Sequence, residues 1–178
     1  MLDGLSAFAP LLSNLDASGP TGLRIEAWGP VSAAVTMAHR GAEGATGERL
    51  SAFARNDPDA TVLKIGPGTW LIFCNDDAVA LPDLDDVAAT FDQGDSYALL
   101  RLRGAAAINV LQKGIFIDLR SVLAAYDSCV SSVIAHINVT AWRISSDTFG
   151  IAVPRSYAGS FWHWLSTAAA AEGVPLGR

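Results

Sequence analysis

The chain has 178 residues, of which 51% are hydrophobic and 17% are charged, and its formal net charge is −6. This length fits one domain whose core is large enough to need neither a disulfide nor a structural metal. Lysine occurs only at Lys64 and Lys113, so the chain lacks the dense basic surface that binds nucleic acid. No apolar run approaches the roughly 20 residues of a membrane helix, and the apolar excess indicates a surface buried against a partner.

Proline and glycine punctuate the first 20 residues, which predicts an N-terminal arm over 1–20 and a single domain over 21–178. The arm carries Asp3 and Asp16 but no basic residue. A secretory signal needs a basic start, so we expect a cytoplasmic protein.

The first half of the chain combines period-two apolar alternation, typical of half-buried strands, with one short helical segment. Trp28-Gly29-Pro30 predicts a turn, Gly66-Pro67-Gly68 predicts the turn of a hairpin, and residues 41–47 read as a flexible loop. The predicted elements are strands at 23–27, 31–37, 61–65, 70–74 and 87–92, an acidic connection at 76–86, and a helix at 48–55.

The second half gives clearer patterns, and its predicted elements are strands at 98–103, 130–144 and 149–153 and helices at 104–114 and 156–172. Helices interspersed with hairpins favour an α+β fold over a doubly wound sheet. The order strand, helix, hairpin, helix suits a ferredoxin-like half, and the first half holds a looser version of it. We therefore predict an α+β fold of two ferredoxin-like halves in one domain.

The motifs that carry chemistry are missing. Neither lysine follows a glycine, which excludes a P-loop, and Gly66-Pro67-Gly68 leads into a strand rather than a dinucleotide-binding helix. The histidines are isolated in sequence, and Cys74 and Cys129 lie far apart in apolar stretches, where buried thiols are expected. The residues therefore predict no catalytic, cofactor-binding or metal-binding site, although a Ser–His–Asp set assembled in space stays open.

One predicted sheet face concentrates residues that favour interfaces. On the long strand, period two places His136 on the same side as Trp142, and Arg101 and Arg103 point outward from the strand at 98–103. This face is either solvated or a contact surface for a partner, since tryptophan and arginine are enriched at interfaces. Arg101, Arg103, His136 and Trp142 are our candidates for partner contact.

The final helix supplies a fifth candidate, Trp162. A helical wheel started at Tyr157 places Phe161, Trp164, Leu165 and Ala168 in one core stripe and leaves Trp162 about 140° from the reference. Trp162 either folds onto the edge of the sheet or anchors a neighbouring subunit. The wheel predicts that truncating Trp164 destabilises the fold and that truncating Trp162 leaves it nearly intact.

Two stretches resemble a known family, the gamma subunit of bacterial heterotetrameric sarcosine oxidase. The resemblance covers most of residues 60–172 in order and spacing, whereas the first 55 residues match poorly. The stretches that carry it are Asp92-Gln93-Gly94-Asp95-Ser96, the strand at 98–103, Gly104, Val110-Leu111-Gln112-Lys113-Gly114, Ile117-Asp118-Leu119, Ala135-His136-Ile137, Trp142-Arg143, Val153-Pro154-Arg155-Ser156-Tyr157-Ala158 and Phe161-Trp162-His163-Trp164-Leu165.

The resemblance implies a role in one-carbon metabolism. Complexes of this family oxidatively demethylate sarcosine to glycine with hydrogen peroxide, and tetrahydrofolate can take the one-carbon unit. The gamma subunit is similar to the folate-binding domain of aminomethyltransferases (glycine-cleavage T-proteins) and is implied to be non-catalytic. Alpha, beta and delta subunits are the implied partners, and they are implied to hold the FAD, FMN, NAD, tetrahydrofolate and zinc. The alternatives are a stand-alone folate-binding one-carbon protein or a scaffold of a related flavin amine oxidase.

Overall fold

The structure is a computed structural model that describes residues 7–8, 22–29, 32–75, 81–94, 96–126 and 128–173. Its strands are β1 (Arg24–Trp28), β2 (Ser32–Ala38), β3 (Ala60–Gly66), β4 (Thr69–Cys74), β5 (Ala88–Asp92), β6 (Tyr97–Arg103), β7 (Cys129–Ile134), β8 (Ile137–Arg143) and β9 (Thr148–Pro154). Its helices are α1 (Glu43–Asn56), α2 (Ala107–Gln112), α3 (Leu119–Val122) and α4 (Ala158–Ala170), and a 3-10 turn, Arg155–Tyr157, precedes α4.

The described strands form two antiparallel sheets, as the α+β prediction requires. The four-stranded sheet has the order β3-β4-β2-β5, which is the ferredoxin-like order read from β2 as its first strand. The hairpin predicted around Gly66-Pro67-Gly68 is present as β3 and β4.

The five-stranded sheet has the order β1-β6-β9-β8-β7 within the described residues. This sheet has the same ferredoxin-like order in permuted form, with the elements in the sequence β6, α2, β8, β9, α4 and β1. Strand β7 is added at its edge. The fourth strand of this half is therefore β1, which comes from the N-terminal side of the chain.

The fold divides into two compact units. One contains the described residues up to Gly29 and from Tyr97 onward, and the other contains those between 30 and 96. The first unit has a core in which α2 and α4 cover one face of the five-stranded sheet, with side chains such as Leu100, Leu102, Ile151, Val110, Leu111, Phe161 and Leu165. The second has a smaller core of Leu50, Trp70, Ile72, Cys74, Leu84, Val87 and Ala88.

The predicted long strand at 130–144 is wrong, because the chain reverses at Ala135-His136. These two residues have φ values of 48° and 67°, and they join β7 to β8 through the pair Ile134–Ile137. Two consecutive left-handed residues make the mirror-image turn that hairpins favour, which usually contains Asn or Gly. Ala-His has no such signature, so the sequence offered no turn signal here.

The predicted loop at 41–47 is also wrong, because α1 begins at Glu43 rather than near 48. Gly44 and Gly47 lower helix propensity, but tertiary contacts override them. The buried Thr46 hydroxyl donates to the carbonyls of Ala42 and Val87 at 2.9 and 3.2 Å. A Cβ on Gly47 would lie 3.3 Å from the Trp70 ring, so the lack of a side chain permits close packing.

The predicted helix at 104–114 is shorter, since α2 begins at Ala107. Gly104 has a φ of +119°, and a Cβ built on it would lie 1.8 Å from the carbonyl oxygen of Gly22. Only glycine permits this close approach of two backbones. Gly104 therefore allows the backbone that follows β6 to lie directly against the backbone that precedes β1. It does not begin a helix.

Candidate functional site

The face of the five-stranded sheet that was predicted to contact a partner carries a row of paired residues. The register pairs Trp142 with Gly150, Gly150 with Arg101, and Arg101 with Glu26, on four adjacent strands. Side chains paired in this way share one face. The structure therefore brings two of the predicted residues, Arg101 and Trp142, into one row, with Gly150 between them.

The indole of Trp142 lies across Gly150. A Cβ built on Gly150 would stand 2.1 Å from Cε2 of that ring, which leaves no space for any side chain. The bare backbone of Gly150 is thus the surface on which Trp142 rests. Trp142 is 2% exposed, so it offers a partner almost no area of its own.

Trp28 completes this arrangement, which we name the tryptophan–arginine cluster: Trp28, Arg101 and Trp142. The two indole rings are 5.6 Å apart, and the Arg101 guanidinium carbon lies 4.4 Å from the centre of the Trp28 ring. A cation over an aromatic face is stabilising, and more so where water is excluded. Arg101 Nε is buried and has no hydrogen-bond partner among the described residues, so at this atom the Trp28 ring is the contact that the structure provides.

Trp28 was missed as a member of this face because it was assigned to a turn. In the structure it is the last residue of β1 and pairs with Leu99. The alternation of Arg24, Glu26 and Trp28 was the signal that pointed to it, since these residues share one face of a strand.

Arg103 lies on the same face as Arg101, two residues further along β6, and pairs in register with Arg24. Arg24 forms a 2.7 Å ion pair with Glu26, whereas Arg103 is exposed and has no ion pair with any described residue. The two arginines thus differ: Arg101 is held by an aromatic ring, and Arg103 is open to solvent.

His136 does not lie with the other candidates. It occupies the β7–β8 turn and is exposed, whereas Trp142 lies near the other end of β8. Six residues of strand separate them, about 20 Å at 3.3 Å per residue. The sheet face predicted from Arg101, Arg103, His136 and Trp142 therefore exists without His136.

Trp162 is buried in the core of the first unit, with 7% of its surface exposed. The wheel was wrong to place it outside the packed stripe, because Phe8 covers that side of α4. The Phe8 ring lies 6.5 Å from Trp162 and 6.4 Å from Phe161, and it is fully buried. Ala7 packs partly buried against the same core, and the rest of the predicted arm lies outside the described residues.

Whether Arg101, Arg103, His136, Trp142 and Trp162 contact a partner stays a prediction. Exposure separates four of them into two groups, and Arg101 lies between these groups as a half-buried member of the tryptophan–arginine cluster. Arg103 and His136 are exposed and available for contact, whereas Trp142 and Trp162 are packed inside the chain. Substituting either buried tryptophan would affect assembly mainly through the fold.

The described carboxylates whose pKa is shifted lie in ion pairs with a neighbouring cation. The Arg49 guanidinium donates to Asp86 at 2.8 Å and holds the pKa of that carboxyl below its usual value. Lys113, 2.8 Å from Glu172, lowers the pKa of Glu172 in the same way. Burial raises the pKa of the Cys74 thiol, so that group stays protonated and unreactive near neutral pH.

Neither a metal centre nor a membrane span is found among the described residues. Among those residues there is no group of three or more histidine, cysteine, aspartate or glutamate side chains that could hold a metal ion. No helix in the described part of the chain is long and apolar enough to cross a membrane.

A family model, described as the sarcosine oxidase gamma subunit family, matches residues 45–172. The chain belongs to this family. The match confirms the resemblance seen at 60–172 and extends it to α1. A search of curated proteins by sequence finds no match.

Two solved structures share the fold. A structure of heterotetrameric sarcosine oxidase from Corynebacterium sp. U-96, in complex with pyrrole 2-carboxylate, matches with a TM-score of 0.75 at 18% identity, over 94% of this chain and 95% of that chain. Glycine cleavage system aminomethyltransferase T from Bartonella henselae matches with a TM-score of 0.51 at 13% identity, over 80% of this chain and 45% of that chain. The predicted likeness to the aminomethyltransferase fold is confirmed.

Proposed function

We propose that this chain is the gamma subunit of a heterotetrameric sarcosine oxidase and that its role in the complex is structural. The observation that carries the proposal is the match to the sarcosine oxidase gamma subunit family over residues 45–172. The fold shared with a chain of the Corynebacterium complex over 94% of this chain supports it.

The partners in this proposal are alpha, beta and delta subunits, and the complex oxidatively demethylates sarcosine to glycine with hydrogen peroxide. Tetrahydrofolate takes the one-carbon unit. The flavins, NAD, folate and zinc belong to the other subunits, and the complex works in the cytoplasm.

Co-expression with and without this chain tests the proposal. Alpha, beta and delta subunits from the same organism are produced with a tag on beta, and sarcosine-dependent hydrogen peroxide is measured in the purified material. We expect this chain to co-purify at one copy per complex, and its omission to reduce the yield of active complex. The isolated chain should have no sarcosine oxidase activity and no flavin spectrum. Failure to co-purify would contradict the proposal.

The alternative of a stand-alone folate-binding protein is tested by titrating the isolated chain with tetrahydrofolate. The chain matches only 45% of the aminomethyltransferase structure, a likeness that concerns the fold. We expect no saturable binding by calorimetry. The second alternative, a scaffold of a related flavin amine oxidase, predicts a complex that turns over another secondary amine faster than sarcosine.

A further inference from the structure

Phe116 stands almost wholly in solvent. It is 99% exposed, whereas Ile115 just before it and Leu119 three positions after it are 1% and 0% exposed. Isolated apolar residues at a surface are ordinary, but a large aromatic side chain without any packing is costly to hydrate. Three further exposed apolar residues follow within ten positions: Ile117, Val122 and Tyr126. We call residues 116–126, which include the short helix α3, the Phe116 loop.

The backbone that carries Phe116 is held firmly by Gln112. The amide nitrogen of this side chain donates to the carbonyls of Ile115 at 2.8 Å and Ile117 at 2.7 Å. Its oxygen accepts from the backbone nitrogen of Leu119 at 2.9 Å. One side chain thus fixes the chain both before and after Phe116, so the phenyl ring projects from an ordered backbone.

Arg143 holds the other end of the Phe116 loop. Its guanidinium donates to the carbonyls of Leu123 at 2.9 Å and Ala124 at 3.0 Å, and it lies 5.8 Å from the Tyr126 ring. An apolar segment fixed in this way loses little conformational entropy when it binds, which is the advantage of preorganisation. These contacts fix the backbone of the Phe116 loop at both ends.

Charge narrows the choice of partner. Arg120 lies in the middle of the loop and is exposed. Its guanidinium donates a hydrogen bond to the side-chain oxygen of Asn109 at 2.6 Å. It forms no ion pair with any described residue. A different polypeptide is favoured over a second copy of this chain, because the chain shares its fold with a chain of a heterotetrameric complex. A different polypeptide that offers a carboxylate near an apolar pocket suits both Arg120 and Phe116.

We propose that the Phe116 loop is a docking element that inserts Phe116 into an apolar pocket, flanked by a carboxylate, on another subunit of the complex. This inference rests on the proposed function, because it assigns the surface through which this chain joins its assembly. A protruding ring needs a concave acceptor, and buried aromatic anchors of this kind dominate the affinity of protein interfaces.

The direct test substitutes the ring and leaves the fold alone. The full-length tagged chain carrying Phe116→Ser is co-expressed with the alpha, beta and delta subunits, and the partner recovered per mole of tagged chain is measured. Truncating a central anchor raises Kd about thirtyfold or more, so we expect recovery to fall at least tenfold. The melting temperature of the isolated variant should match that of the wild type, because Phe116 has no packing to lose.

Phe91→Ser is the matched control, since Phe91 is also an exposed phenylalanine, at 50%, and lies on β5. It should retain wild-type recovery. Equal losses in both variants, or unchanged recovery with Phe116→Ser, would overturn the inference. If the wild-type chain recovers no partner at all, the proposed function itself fails, which is a separate outcome.

The identity of the occupant is tested by placing p-benzoylphenylalanine at position 116 and irradiating the co-expressed material. We expect a crosslink to a different subunit. A crosslink to a second copy, or a wild-type chain that sediments as a dimer while Phe116→Ser sediments as a monomer, would overturn the hetero-subunit assignment. Arg120→Gln should weaken the salt dependence of binding, and an unchanged salt dependence would overturn the carboxylate part of the proposal.

Discussion

Gly150 shows how one residue without a side chain determines the packing of a sheet face. Trp142 rests on it, and Trp28 and Arg101 then complete the cluster. A residue with a Cβ at 150 must displace the indole, which is rigid and 2% exposed. The presence of a glycine in the buried strand β9 therefore follows from the presence of a tryptophan on β8.

Gly150→Ala should lower the free energy of unfolding by about 1–3 kcal/mol, as overpacking of a filled site does. Chemical denaturation of the isolated chain measures the change, and near-UV circular dichroism should report movement of the tryptophans. Gly159→Ala is the control, because a Cβ there meets nothing within 4 Å and glycine is a poor helix former. It should stabilise the chain by up to about 1 kcal/mol. Equal effects of the two substitutions would contradict the close contact with Trp142.

The ion pair between Arg49 and Asp86 predicts that the free energy of unfolding depends on pH. The pKa of Asp86 is lowered below its ordinary 3.8 by the hydrogen bond from Arg49. Because the folded-state pKa is the lower one, the pair stabilises the fold above pH 3.8, and the effect is lost as pH falls through the folded-state pKa. The stability gap between wild type and Asp86→Asn should therefore be present at pH 6 and close in acid. A gap that does not change with pH contradicts this reasoning.

Among the elements, the β7–β8 hairpin has a turn that its sequence does not favour. Left-handed backbone costs roughly 1–2 kcal/mol for a residue other than glycine, and both Ala135 and His136 adopt it. Replacing them with Asn-Gly should raise the free energy of unfolding by about 1 kcal/mol. Thermal denaturation measures this, and a loss of stability would show that the Ala-His side chains make contacts that the turn needs.

The same double variant tests whether His136 contacts a partner subunit. If the more stable variant assembles less well with the partner subunits, His136 acts at an interface. If assembly is unchanged, His136 is a solvated turn residue.

Helix α4 carries two tryptophans whose predicted roles change with the structure. Trp162 is 7% exposed, and Trp164 is half-buried with its ring 5.6 Å from Phe161 and close above Gly114. We now expect Trp162→Ala to cost about 3–5 kcal/mol, as truncation of a core aromatic residue does. His163→Ala, on the exposed side of the helix, should cost less than about 0.5 kcal/mol. Urea denaturation compares them, and a Trp162→Ala variant as stable as wild type would restore the wheel's assignment.

Elements with strong local signals could be predicted from the sequence. The β3–β4 hairpin has Gly66-Pro67-Gly68, and β6 has a clean alternation around Leu100 and Leu102. The secondary-structure predictions fail where a contact with a residue far away in the sequence determines the local structure. α1 includes Gly44 and Gly47 because Thr46 and Trp70 favour a helix there, and neither contact is visible in a sequence window. The hairpin at Ala135-His136 was not predicted, because Ala and His are not the residues that its left-handed turn usually contains.

At the scale of the whole molecule, the pairing of β1 with β6 was beyond sequence reasoning. Arg24 pairs with Arg103, 79 positions later, and two like charges in register give no signal for that pairing. The α+β class and the ferredoxin-like halves were predicted correctly because the element order contains them. The tryptophan–arginine cluster could be predicted only in part, since Trp28 joins it through the β1–β6 register.

We propose that this chain works as a subunit that joins the other subunits of the complex and holds no cofactor itself. Native mass spectrometry of the co-expressed and purified complex tests it most directly. We predict an intact complex that contains one copy of this 18.6 kDa chain and releases it, on gentle activation, at the mass of the bare polypeptide. A fully active complex whose mass shows that it lacks this chain, or a released chain that carries a flavin or a folate, would contradict the account.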